Sequence, residues 1–462
     1  MRVTAAEALA TTGGSLPAGP LPELFAVSTD SRTLAAGDAF LALRGERYDG
    51  HDFLVAALAR GAACAIVTDP SRVPRGTAAL VVPDTTVAYL ALAGVARRHF
   101  AAGVAAVTGS AGKTTTKALL AQVLESVAPG RVTATPANEN NEIGVAKLLL
   151  AVPPQSAYVV IEFGARREGE IVPLAEAARP HVAVLTNVGD AHLEIMGSHE
   201  RLAQTKWGIF RTGASAVLSV ADATSRERAP GLASPVFWAA LEGEGLDVPL
   251  RPSDALVRLY GRERLEVVSD NSHASFATLV TVDGDHNRRN AVSAAAAALA
   301  LGVPAADIAR ALEGVGLPKG RYERVALGDF EAIYDAYNAS MSGTLATLAS
   351  FALEAAPRRI AVLGSMAELG PDAAAMHARV GAAAAGSGLS ALLVGGDFAS
   401  DLARGAREAG FPESGIVSFV ANDDAVAWLR ARACAGDLVL LKGSRRYRLE
   451  EILTGLQASH AG

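Results

Sequence analysis

Short apolar runs recur along the chain, each bounded by glycine, proline or polar turns and separated by stretches of helical period. In the first hundred residues, positions 39–43, 65–68 and 80–82 have this form. From residue 100 onward the runs are 104–107, 158–161, 182–186, 216–220 and 277–282, with helices predicted over 114–126 and 289–301. After Leu317-Pro318-Lys319-Gly320, a good linker composition, the pattern resumes at 332–334, 360–363, 391–394, 416–420 and 438–441, with a helix predicted over 423–432. Runs that are apolar at successive positions, rather than at alternate ones, are buried on both faces. Their alternation with helices predicts parallel, doubly wound sheets. The expected fold class is α/β in three domains, over residues 1–99, 100–316 and 317–462. The last reads as Rossmann-like, yet it lacks the Gly-x-Gly-x-x-Gly turn that grips a dinucleotide.

Composition narrows the picture. Of 462 residues, 50% are hydrophobic and 19% charged, which suits large buried cores and excludes a mainly disordered chain. Net charge is -6 and no basic stripe interrupts it, so a nucleic-acid partner is not expected. The two cysteines, Cys64 and Cys434, are far apart and form no Cys-x-x-Cys. They read as reduced thiols of a cytoplasmic protein. The first ten residues hold no apolar signal core, and the alanine-rich stretch 291–303 is too short to span a bilayer, so no membrane insertion is expected. A monomer is expected.

The sharpest chemical signal is Thr108-Gly109-Ser110-Ala111-Gly112-Lys113-Thr114-Thr115, which follows a predicted strand and opens a predicted helix. In such a turn the backbone amides and the helix N-terminus converge on one point and favour an anion. Gly109 and Gly112 let the backbone curl without Cβ clashes. Lys113 adds a cation for the terminal phosphates of a nucleotide, worth roughly 4 kcal/mol at about 4 Å and an effective dielectric near 20, before desolvation. Thr114 can offer its hydroxyl to Mg²⁺. A standard P-loop wants glycine five residues before Gly112, where Val107 stands, so ordinary P-loop kinases and GTPases are disfavoured.

Downstream lie Asn138-Glu139-Asn140-Asn141-Glu142-Ile143-Gly144, then Glu162 at the end of a predicted strand, then Thr186-Asn187-Val188-Gly189-Asp190-Ala191-His192-Leu193 after another. Parallel strands end on one rim, so Glu162 and His192 are expected beside the phosphate loop, where a hard Mg²⁺ would want oxygen ligands. A helix-capping glutamate and a solvated loop histidine are the plain alternatives. Together these motifs resemble the central domain of the Mur ligase family.

The resemblance implies that Glu162 and His192 help hold Mg²⁺, with Thr114, that Asn141 lies near the same site, and that Asn140 and Asn141 face the substrate. Lys206, in Gln204-Thr205-Lys206-Trp207-Gly208, matches the family's carbamylated lysine, with an ordinary surface lysine as the alternative. Asn287 and Asn290, in Asp285-His286-Asn287-Arg288-Arg289-Asn290, resemble the asparagines that contact adenine. Arg321 resembles the arginine near the ATP phosphates. Asp335, in Asp335-Ala336-Tyr337-Asn338-Ala339-Ser340, would accept the ribose hydroxyls. That stretch, Leu363-Gly364-Ser365-Met366-Ala367-Glu368-Leu369-Gly370 with His377, and Lys442-Gly443-Ser444-Arg445 resemble motifs of the members that add D-alanyl-D-alanine. Tyr337, Asn338 and Lys442 would face the substrate. In the first hundred residues Ser31, Arg32, Arg44, Gly45 and His51 would serve a UDP-binding domain.

The resemblance thus covers nearly the whole chain. It implies an ATP-dependent ligase that joins D-alanyl-D-alanine to a UDP-N-acetylmuramoyl-tripeptide through an acyl-phosphate, in cell-wall precursor synthesis. Ala137, Ala146-Lys147, Ser340-Met341 and Ser365 depart from the family's Gly, Pro, Asn-Pro and Asp at those places. Two alternatives therefore stay open. One is a ligase that adds a diamino acid, although its Asp-Asn-Pro-Arg motif is absent. The other is a paralogue with a non-standard substrate.

Overall fold

The computed structural model describes residues 1–17, 19–45, 48–189 and 193–458. Among these, three larger sheets stand in the order that the apolar runs predict. The first has four parallel strands, Val27–Ser28, Ala39–Leu41, Cys64–Val67 and Ala79–Val81. The second has nine strands. Its seven parallel strands run from Val132–Ala134 through Tyr158–Glu162, Gly103–Thr108, Val182–Leu185, Ser215–Ser219 and Val236–Leu241 to Ala255–Tyr260. The third has six strands, led by the hairpin Glu323–Leu327 and Phe330–Tyr334 and continued in parallel by Leu438–Lys442, Arg359–Gly364, Ala391–Gly395 and Ile416–Phe419.

Burial on both faces explains the unbroken apolar runs. In the strand Gly103–Thr108, Val104 and Ala106 enter one core while Ala105 and Val107 enter another. The second core is covered by the helix Asp285–Ala300, in which Ala294 through Ala298 are completely buried. Alanine is the side chain that lets a helix with so much buried surface approach both a sheet and the helix Lys113–Val127.

One run departs from expectation. Residues 277–282 do not form a parallel strand. The sheet instead ends in Ala255–Tyr260, parallel to its neighbour, followed by the antiparallel strands Arg264–Ser269 and Ser272–Ala277. These last strands are half-exposed, with polar residues such as Glu266, Ser272 and His273, so they lack the apolar signature of the buried body. The two-residue Asp270-Asn271 turn between them is a hairpin signal that apolar runs alone do not register.

The first sheet is not a free-standing layer. Its Phe40, Ala65 and Val67 face a small core of their own. The alternate residues Leu41, Cys64, Ile66 and Leu80 join the same core as the central sheet. The helix Thr85–Arg97 makes that junction, packing on the helices Glu142–Ala151 and Ile171–Ala178. At its end Arg97 is buried and donates to the carbonyls of Ala178 at 2.8 Å, Phe100 at 3.2 Å and Arg179 at 3.3 Å. Removing the guanidinium leaves several buried acceptors unmet, each a charge-assisted bond worth about 1.5–3 kcal/mol. Arg97→Met is therefore expected to cost about 2–3 kcal/mol, seen as a lower thermal midpoint by calorimetry. An unchanged midpoint would show the junction to be apolar only.

Candidate active site

The strand Gly103–Thr108 delivers the chain into the glycine turn, and the helix Lys113–Val127 leaves it. No side chain caps that helix, so its first amides are free for an anion. The turn is held from the side by the next strand end. Asn187 accepts from the Ala111 amide through Oδ1 at 3.1 Å and donates to the Ala111 carbonyl through Nδ2 at 3.1 Å. Thr186 Oγ1 donates to the same carbonyl at 2.6 Å, and Ser110 Oγ accepts from the Gly189 amide at 2.8 Å. Both glycines are required. Gly109 has φ 149, and a Cβ on it would lie 1.9 Å from Thr186 Oγ1; Gly112 has φ 81, and its Cβ would lie 2.4 Å from Asn290 Oδ1.

Three cations surround this turn. Lys113 Nζ folds back onto the carbonyls of Gly109 at 2.8 Å and Ser110 at 3.4 Å. Lys206 is 1% exposed, which removes the surface-lysine alternative, and its Nζ reaches the same Gly109 carbonyl at 3.2 Å. Arg321 enters from the third sheet's side and has a buried Nε without a hydrogen-bond partner. Among the described residues none of the three has a carboxylate partner. Burial drives the Lys113 ammonium below the usual lysine range despite the pull of Glu162. Burial, and then the charge of Lys113, drives Lys206 well below it. Desolvated cations facing one carbonyl turn are stable as a group only with an anion between them.

Glu162 ends its strand on the same rim, as its position predicts. Its Oε1 accepts from Thr114 Oγ1 at 3.2 Å and from Asn140 Nδ2 at 2.8 Å. Its buried Oε2 has no hydrogen-bond donor and lies 3.4 Å from Lys117 Nζ. Lys117 escaped the sequence reading. It stands one helical turn after Lys113, and its ammonium also donates to the carbonyls of Thr135 at 2.8 Å and Ala137 at 2.7 Å. The i, i+4 spacing of the two lysines was the available signal. His192 lies outside the described residues.

Asn141 was expected beside the metal site, but it is Asn140 that meets Glu162. Asn141 caps the helix Glu142–Ala151, its Oδ1 accepting from the Gly144 amide at 3.0 Å. Asn140 can approach because Gly164 leaves room; a Cβ there would sit 2.5 Å from Asn140 Oδ1. Ala137, where the family has glycine, holds φ 43, a left-handed conformation that costs an alanine roughly 1–2 kcal/mol. Its carbonyl is the one that Lys117 takes, so the strain is spent on a site contact.

Beside the turn opens a cavity of about 260 Å³, lined from the central sheet by Gly112, Thr115, Asn287 and Asn290 and from the third sheet by Arg321, Asp335, Thr347 and Lys442. Asn287 and Asn290 stand three residues apart within the helix Asp285–Ala300, which starts four residues earlier than the sequence pattern predicts. Asp335 is buried and accepts from Thr347 Oγ1 at 2.6 Å, with Lys442 Nζ at 2.9 Å. Burial alone would raise its carboxyl, but the Lys442 ammonium and its neighbours hold it below the usual range. Lys442 was expected to face the substrate. It is instead committed to this buried pair and to the Asn338 carbonyl at 3.0 Å. Tyr337 lies under two guanidiniums, 4.2 Å from Arg321 and 5.4 Å from Arg445. His286, which was not anticipated, joins the two halves through Ser350 Oγ at 3.0 Å and the Tyr322 ring, and burial lowers it to about 4.

The expected UDP residues lie on loops after strands of the first sheet. Arg32 and Arg44 are exposed, Arg32 bonded to Asp30, with Gly45 bonded to the Tyr48 carbonyl through its amide and Ser31 half-buried. His51 is different. It is 4% exposed, its Nδ1 sits 2.6 Å from Asp49 Oδ1, and its Nε2 accepts from the amides of Thr68 at 3.1 Å and Asp69 at 3.3 Å. With both ring nitrogens engaged, it shapes the loop rather than contacting a ligand.

Comparison with known proteins agrees with this arrangement. Family models described as the Mur ligase family catalytic domain, the Mur ligase middle domain and the Mur ligase glutamate ligase domain match residues 24–148, 107–298 and 320–445. A UDP-N-acetylmuramoyl-tripeptide–D-alanyl-D-alanine ligase of Synechocystis is 36% identical over 94% of this chain and 92% of its own length. A crystal structure of MurF from Acinetobacter baumannii superposes with a TM-score of 0.84 at 29% identity, over 99% of both chains. The MurF ligase of Thermotoga maritima, solved in complex with ADP, matches with a TM-score of 0.78 at 26% identity, over 94% of this chain and 97% of its own. On its sequence, its fold and these relatives, the chain belongs to the Mur ligase family.

Proposed function

We propose that this chain is an ATP-dependent ligase that joins D-alanyl-D-alanine to a UDP-N-acetylmuramoyl-tripeptide, the reaction for which its Synechocystis relative is named. One observation carries the reading: Lys113 and Arg321 converge beside a glycine turn and, among the described residues, no anion of the protein pairs with either. A triphosphate supplies that anion. The adjoining cavity, with Asn287 and Asn290 on one side and Asp335 on the other, suits the nucleoside. The modules are taken as residues 1–99, 100–316 and 317–462, the first binding UDP through exposed Arg32 and Arg44. The protein is read as a cytoplasmic monomer; no described helix is long and apolar enough to cross a membrane.

Mg²⁺ fits the donor set. Glu162 presents a buried carboxylate whose Oε2 faces the Lys117 ammonium at 3.4 Å, and Thr114 presents a hydroxyl beside it. Glu162 and Thr114 would hold the ion, with His192 and a carbamate on Lys206. Bound there, Mg²⁺ would neutralise phosphoryl charge. Burial favours the neutral amine of Lys206, the form that adds CO₂: the nitrogen lone pair forms the C–N bond as one C=O π pair of CO₂ moves onto oxygen, one proton leaves, and the neutral amine becomes an anionic carbamate.

A carboxylate does not condense with an amine in water unaided. The tripeptide carboxylate attacks the γ-phosphorus and ADP leaves, giving an acyl-phosphate. The dipeptide amine then attacks the carbonyl, phosphate leaves and the amine proton is lost. Lys113 and Arg321 stabilise the phosphoryl charge, and the loop amides hold its oxygens.

The test is phosphate release from ATP across a matrix of UDP-muramoyl peptides and amino acids or dipeptides. Release is expected only when the UDP-tripeptide and D-alanyl-D-alanine are both present. Release driven by a diamino acid with the UDP-dipeptide would overturn the assignment.

A further inference from the structure

We propose that Arg445 is the anchor for the free carboxylate of the incoming dipeptide, an inference that rests on the ligase reading above. The dipeptide reacts through its amine, so its other end, a carboxylate, must be held by the module that delivers it. That module is the third sheet. Its strand Leu438–Lys442 is reached last in sequence but lies between Phe330–Tyr334 and Arg359–Gly364. The helix Ala373–Ala385, which follows Arg359–Gly364, leads to the strand Ala391–Gly395 on one side. The helix Glu450–Ala458, which follows Leu438–Lys442, packs over Phe330–Tyr334 on the other. This is the switch point of the sheet, and ligands of open α/β sheets bind at such points, beyond the strand ends. Gly443 and Gly364 pack backbone to backbone there; a Cβ on Gly443 would meet Gly364 Cα at 3.1 Å.

Three arginines leave this strand end. Arg446 faces Asp397 at 3.5 Å and Arg448 faces Glu451 at 2.7 Å. Arg445 alone has no carboxylate partner among the described residues. It is exposed, and its guanidinium lies over the Tyr337 ring at 5.4 Å. Stacking restrains a guanidinium while leaving its edge N–H groups free for a bidentate carboxylate. The same ring carries Arg321, at 4.2 Å, which faces the phosphate turn. One tyrosine ring thus lies against both the guanidinium that faces the phosphate turn and the one offered to the dipeptide carboxylate.

The test compares D-alanyl-D-alanine with its C-terminal amide in wild type and Arg445→Ala. Wild type is expected to favour the acid over the amide by about tenfold or more in KM, the worth of one charge-assisted pair. Arg445→Ala is expected to raise KM for the acid by about tenfold, leave KM for ATP unchanged and no longer distinguish acid from amide. Arg445→Lys is expected to retain part of the preference. A variant that kept the wild-type preference for the acid, or lost acid and amide equally, would overturn the anchor alone. Wild type with no dipeptide-dependent phosphate release would overturn it together with the ligase reading.

Discussion

Lys113→Ala is expected to lower ATP-dependent phosphate release by about a thousandfold or more, while its thermal midpoint without nucleotide stays at or above that of wild type. The catalytic loss follows from removing a buried cation aimed at developing phosphoryl charge, where single charged groups are worth roughly 10³–10⁵ in rate. The stability result follows from what that cation has for company. Without nucleotide it bonds to two carbonyls and shares its surroundings with Lys206 and Arg321. Folding therefore disfavours its proton. The unfolded chain binds that proton more tightly between the lowered folded value and the ordinary lysine value of about 10.4, so stability rises with pH across that window. The alanine variant should flatten this rise. Calorimetry from neutral to mildly alkaline pH, beside a phosphate-release assay, checks both halves. A variant that keeps most of its turnover would remove the phosphate-turn assignment.

Lys206→Ala should abolish ligation, by about 10²–10³-fold, the usual loss on deleting one preorganised electrostatic group. Part of the activity should return with a small free carboxylate that can occupy the vacated volume. Rescue is the discriminating half. A lysine acting as a cation would not be replaced by an anion, whereas a carbamate would. The side chain is 1% exposed and, among the described residues, has no acid beside it, so burial shifts its amine toward the neutral form that CO₂ requires. Full activity in the unrescued variant would dismiss the carbamate.

The phosphate turn and Glu162 were legible because their chemistry is local: a strand, a glycine turn and a rim shared by parallel strands fix where those side chains go; Lys206, on the helix His199–Trp207, was singled out by the family resemblance alone. The side chains that hold them were less so. Lys117 reads as a solvated helix lysine until Glu162 is seen 3.4 Å away. Asn140 and Asn141 are equivalent in sequence, and only the helix start at Glu142 decides which one caps and which turns inward. His51 and Lys442 have the residue types that ligands like, but long-range partners claim both. Two departures from the family pattern lose their functional weight once seen. Ser340 caps the helix Met341–Ala352 with its hydroxyl, as an asparagine would, and Met341 takes the first helical position that proline favours. Ser365 accepts from the Phe398 amide at 2.9 Å and donates to the Gly395 carbonyl at 3.0 Å, a wholly buried loop tie.

The helix Thr85–Arg97 bears on how such proteins could be recombined. Because its buried face belongs to the same core as the central sheet, a crossover placed near residue 100 would pair mismatched surfaces, and Arg97 would lose the carbonyls it was shaped for. The third sheet fills two cores mostly with its own side chains. A crossover near Leu317–Gly320 would leave those cores whole and break mainly the polar cavity contacts, such as that of His286 with Ser350. Exchange of the amine-delivering portion between relatives is therefore mechanically easy, whereas the nucleotide-sugar portion must travel with its ATPase.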